Sequence, residues 1–119
     1  MWLIRNAQLA VFDKEALRQA ILSMRVHVRT HFKELLREVP DERLFAVLSR
    51  VVGDARAQGL VRLSEVLLYV NLSMVFGEGF LDRTELPWMR EIMNEAGSAP
   101  RDRIRKLHAE AVKRMEARS

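Results

Sequence analysis

Cysteine is absent from the 119-residue chain. That excludes a disulfide framework, a thiolate metal site and a thiol nucleophile, and it suits a reducing compartment. Glycine and proline are scarce, five and three, and they fall between periodic segments. No apolar run reaches the roughly 20 residues a membrane-spanning helix needs. The longest candidate, LLYVNLSMVFGEGF from Leu67 to Phe80, is interrupted by Asn71 and Ser73. The opening Met1-Trp2-Leu3-Ile4 is too short for the apolar region of a signal peptide. No membrane association and a cytoplasmic location are therefore expected. Net charge is also missing from most of the chain. Residues 1–100 carry thirteen basic and thirteen acidic residues, and the excess of +4 arises from seven basic against three acidic residues in 101–119.

What the chain does contain is apolar residues, 49% of the total. A chain of this length buries roughly two thirds of the surface exposed when it is unfolded, so one domain spanning 1–119 is expected. The spacing is helical throughout, and the predicted fold is an all-α, compact, single-domain bundle of about five helices. Over residues 6–38, Leu17, Ile21, Met24, Val28, Phe32 and Leu35 recur at three- and four-residue steps and share a helix face. The pattern fits one bent helix or a short helix followed by a long one capped by Asp13. Val39-Pro40 ends it, because the residue before proline is pushed out of helical geometry.

Asp41 is the expected N-cap of a helix over 42–58, with Leu44, Val47, Leu48, Val51, Val52 and Ala55 as its apolar face and Gly59 as its stop. Ser64 is the expected cap of a helix over 65–76, with Glu65 in the first turn, where the helix dipole favours an acid. Apolar residues surround that helix on all sides, which predicts a central buried position. Burial would oblige Tyr69 and Asn71 to find internal partners. Gly77 ends it. Thr84 is the expected cap of a fourth helix over 85–96, and Ser98 that of a fifth over 99–117, each with proline in its first turn. Ile104, Leu107, Ala111 and Met115 form the stripe of the last helix.

The motifs argue against catalysis. Gly77-Glu78-Gly79 follows a helix, whereas a phosphate-cradling loop lies between a strand and a helix. No serine lies in a Gly-x-Ser-x-Gly elbow, and Glu78 and Asp82 read as solvated turn residues. His27 and His31 have the four-residue spacing of a metal pair, with Glu34 close by, but they fall short of a zinc set. No enzyme activity, metal or cofactor is expected. Residues 51–76 imitate a helix-turn-helix, yet the would-be recognition helix lacks side chains that reach base edges. No small-molecule substrate is expected. The candidate contact residues are the apolar start Trp2, Leu3 and Ile4, together with the basic stripe Arg18, Arg25 and Arg29. The stripe could equally be a solvated face paired with Glu15 and Glu34. The basic C-terminal helix leaves nucleic-acid binding as an alternative.

The order Ile4-Arg5-Asn6-Ala7-Gln8, His31-Phe32, Ala57-Gln58-Gly59-Leu60, Glu65, Tyr69-Val70-Asn71-Leu72, Phe76-Gly77, Phe80 and Leu86-Pro87-Trp88 resembles a family of small helical proteins. Their genes lie in bacterial type VI secretion clusters, beside VgrG or PAAR spike proteins and an effector adaptor. The resemblance spans nearly the whole chain and rests on packing and turn residues. It implies a non-enzymatic accessory protein, a co-adaptor or co-chaperone, that binds an effector adaptor or effector. An immunity protein for a cognate toxin is a further alternative, and the basic charge weighs against it. The family often has proline after the Phe32 position. Lys33 stands there in this chain and is expected to continue the helix.

Overall fold

Asp13 sets the start of the first helix: its carboxylate accepts the Ala16 N–H at 2.7 Å, satisfying one of the donors a helix N-terminus leaves open. The computed structural model describes residues 13–118. Among them the chain forms six α-helices and a 3-10 turn, with no strand. The α-helices are α1 (Lys14–His31), α2 (Lys33–Leu36), α3 (Asp41–Ala57), α4 (Leu63–Phe76), α5 (Pro87–Met93) and α6 (Pro100–Arg118), and the 3-10 turn is Phe80–Asp82. The fold is all-α, as the periodicity predicts.

The predicted boundaries need correction in several places. The helix does not run on through Lys33. Phe32 leaves helical geometry, with φ −128° and ψ 47°, so α2 is a separate turn. That break shifts the helical phase, which is why Leu36 is buried while the predicted core residue Leu35 is 57% exposed. Pro40, not Asp41, caps α3, and Arg62, not Ser64, caps α4. Leu86 precedes α5, and Pro87 and Pro100 each stand at a helix start. A proline at the first helical position has no N–H to satisfy and arrives with helical φ, so these two starts follow the prolines and not Thr84 or Ser98. The Ser98 hydroxyl instead donates to Glu95 Oε1 at 3.1 Å.

Helix stops conform better to expectation. Gly59 has φ 87°. Its N–H donates to the Arg56 carbonyl, and the Leu60 N–H donates to that of Ala55, the paired bonds of a Schellman ending. A Cβ at Gly59 would lie 2.9 Å from Pro100 Cγ, so this tight stop also lets α6 start against the end of α3.

Helix α4 packs against α1, α3 and α6, which makes it the centre of the bundle. Met24 and Val28 of α1, Leu44 and Leu48 of α3, Val66 and Val70 of α4, Phe80, Met89, Ile104 and Leu107 are fully buried. Each large side chain removed from water contributes about 1.5–3 kcal/mol. No helix among the described residues is long and apolar enough to cross a membrane.

Candidate functional site

The core does not extend to the C-terminal ends of α4 and α6. Val75, Val112 and Met115 are 42%, 41% and 44% exposed, although Met115 continues the stripe predicted to be core. The reason lies in α1, which ends at His31 before the chain turns into α2. Among the described residues no helix continues α1 over the last turns of α4 and α6, which α5 meets on the Trp88 side. The result is a groove of about 260 Å³, with Leu72, Val75, Phe76, Ala111, Val112 and Met115 as its apolar lining. Phe76 and Met115 also border a second hollow of about 380 Å³ that reaches Leu86, Trp88 and Arg114, so the two form one surface. At its far end Trp88 meets Phe76 edge to face, and the Arg114 guanidinium lies 4.2 Å above the indole.

All three histidines of the chain converge on this groove, together with Asn71. His27 Nε2 lies 3.2 Å from Asn71 Oδ1, where an Nε2–H donates, and Asn71 thereby gains the internal partner its position demands. The His27 and His31 rings approach to 4.5 Å. Burial lowers the His27 pKa below its ordinary value, the bond to Asn71 opposes that shift, and the His31 charge adds to it. Burial lowers His108 likewise. Both shifts favour the neutral imidazole. No group of three or more metal-ligating side chains forms among the described residues, and Glu34 pairs with Arg37, not with His31. The histidines therefore give the apolar groove a hydrogen-bonding wall. No carboxylate lines the first hollow, and Glu85, in the second, is already paired with Arg83.

The predicted contact residues lie elsewhere. Trp2, Leu3 and Ile4 fall outside the described residues. The basic stripe on α1 is built into the fold along most of its length. Arg29 donates to the carbonyls of Leu36 and Val39 and to Asp41, at 3.0, 2.6 and 3.0 Å. It thus supplies the Val39 carbonyl and adds a second donor to the Leu36 carbonyl, which also accepts the Val39 N–H. Arg25 approaches the same Asp41 carboxylate at 4.0 Å, and Arg18 pairs with Glu15.

The sequence does not reveal the groove, because His108 lies far beyond His31 in the chain and joins it only through packing. The available signal was Asn71, a polar residue one helical turn before Val75 on a helix with apolar residues on every side. Comparison with family models, curated proteins and solved structures finds no match to this chain.

Proposed function

We propose that the groove between the ends of α1, α4 and α6 binds an acidic, amphipathic helical segment of a protein partner, and that the protein is a non-enzymatic accessory factor. One observation carries this reading: an open apolar floor bounded by three imidazoles, with no carboxylate in its first hollow. A partner helix would seat apolar side chains at helical spacing on Val75, Val112 and Met115. Charge selects the occupant. On α6, exposed Arg101 and Arg105 continue the His108–Val112 row at three- and four-residue steps, and residues 101–119 carry the whole positive excess of the chain. Acidic residues flanking the partner's apolar stripe complement that wall, orienting the encounter more than they add affinity.

The resemblance to proteins of type VI secretion clusters supports an effector adaptor or effector as the partner. The disposition of α6 favours a protein over a nucleic acid, since Lys106 and Arg114 bind Glu95 and Glu110 within the fold and do not form a free phosphate-facing row. Co-purification with the cognate adaptor and effector tests both levels. Retention of either one by the wild type, and its loss in Val75→Asp and Val112→Asp, is the expected result. Retention unchanged in both variants overturns the groove. Retention of neither protein at micromolar concentration overturns the type VI assignment.

A further inference from the structure

On the opposite side of α4, a third cavity of about 190 Å³ is lined by Asp54 of α3 and Gln58 just past its end, Tyr69 of α4, Asp82, Arg90 of α5 and Asn94 just past its end. Its polar character contrasts with the groove. Tyr69, the only tyrosine in the chain, is 4% exposed. Its ring packs against Phe80 at 4.9 Å, and the residue lines the cavity. No hydrogen bond to the hydroxyl forms among the described residues. The hydroxyl is not fully enclosed, so a group entering the cavity can reach it.

The charges around the hydroxyl indicate what that is. Burial first, then the Asp54 and Asp82 carboxylates, push the Tyr69 phenol up to about 12, so it stays neutral and can accept as well as donate. Arg90 neutralises Asp82 through an ion pair and also donates to the Leu81 carbonyl at 3.0 Å. Asp54 makes no ion pair within 4 Å among the described residues and is left as the net negative charge of the cavity. It sits in the last turn of α3, a 17-residue helix whose C-terminus presents partial negative charge to a cation. The side-chain carbonyls of Gln58 and Asn94 add acceptors. At about 30 Å³ per water, the space holds roughly six waters, enough for a small cationic head group and part of its stem.

We infer that this cavity is a binding site for a primary ammonium or guanidinium group, held by Asp54, the Tyr69 hydroxyl and the amide oxygens of Gln58 and Asn94. The inference is independent of the groove and survives if the groove has no partner. The ligand is either a free amine or a lysine or arginine side chain that a partner presents.

The single tyrosine makes the test direct. Isotope-labelled tyrosine gives one ring signal, which is followed by NMR while methylguanidinium, putrescine or N-acetyl-arginine amide is added to the full chain. Saturable movement of that signal is expected, with Asp54→Asn weakening the affinity about tenfold, as loss of a charge-assisted bond predicts, and Tyr69→Phe weakening it by a smaller factor, read on the Asn94 side-chain amide. Tighter binding of putrescine identifies a free polyamine as the ligand, and tighter binding of N-acetyl-arginine amide identifies a presented side chain. No response at millimolar cation, an equal response to neutral urea, or full affinity in Asp54→Asn overturns the site. Asp54 is exposed, so its amide variant is expected to fold, and the unchanged core signals of that variant confirm it.

Discussion

Helices α1 and α6 both carry rows of arginine, and the structure uses them in opposite ways. On α1, Arg29 reaches across to α2 and α3 and binds two carbonyls and a carboxylate. On α6, Arg101 and Arg105 are exposed on the row that continues to His108 and Val112, which line an apolar groove that no helix among the described residues fills. The difference follows from what lies opposite each row. The segment joining α2 to α3 faces α1 and presents it with the Leu36 and Val39 carbonyls and the Asp41 carboxylate. On the ends of α4 and α6, Val75, Val112 and Met115 leave apolar surface partly exposed. A basic stripe in a sequence thus marks either a brace or a rim, and the neighbouring chain ends decide which.

The largest expected effect falls on the brace. Arg29→Met removes the donor of the Val39 carbonyl, a second donor of the Leu36 carbonyl and the closer of the two arginines at Asp41, at a cost of about 1–3 kcal/mol in urea unfolding. Arg18→Ala, on the same helix but paired only with exposed Glu15, should stay within about 0.5 kcal/mol. Equal losses in the two variants would end the distinction drawn between them.

The groove wall should show the reverse pattern. Val112→Asp places a charge on an exposed site, so stability should change by less than about 0.5 kcal/mol. Binding of the cognate adaptor or effector should nonetheless weaken more than tenfold, as expected for a residue at the centre of a contact. A stability loss as large as that of Arg29→Met would make Val112 a core residue and remove it from the proposed interface.

Acidification probes the histidine wall. The pKa values of folded His27 and His108 are lowered from 6.5, so below that pH the unfolded chain takes up protons the fold resists. Stability should therefore be flat at neutral pH and decline as pH falls below about 6.5. The double variant His27→Gln, His108→Gln should flatten the first part of that decline in denaturant titrations at stepped pH. An unchanged pH profile would show that these histidines are solvated.

Much of the fold was legible in the sequence because the core stripes are strictly periodic. Leu44, Leu48, Val51, Val52 and Ala55 all turned inward as predicted. The glycine stops were legible for a similar reason, since positive φ at Gly59 and Gly77 is a local demand that few other residues meet. The helix starts were less legible. A serine or threonine signals a cap only when its hydroxyl reaches the helix N–H groups, and Ser98 is drawn to Glu95 instead. The two sites were least legible of all. His27, Asn71 and His108 meet only through the packing of three helices. Asp54, Tyr69 and Asn94 do the same on the other side of α4. Spacing along one helix cannot report on such convergence.

The most direct test of the central claim is a binding titration of the cognate effector adaptor, or the effector, against the wild type, Val112→Asp and Arg18→Ala. The account predicts micromolar or tighter binding by the wild type and Arg18→Ala, and a loss of more than tenfold in Val112→Asp. Equal binding by all three proteins, or loss confined to Arg18→Ala, would contradict it and return the interface to the basic stripe of α1 or to Trp2, Leu3 and Ile4.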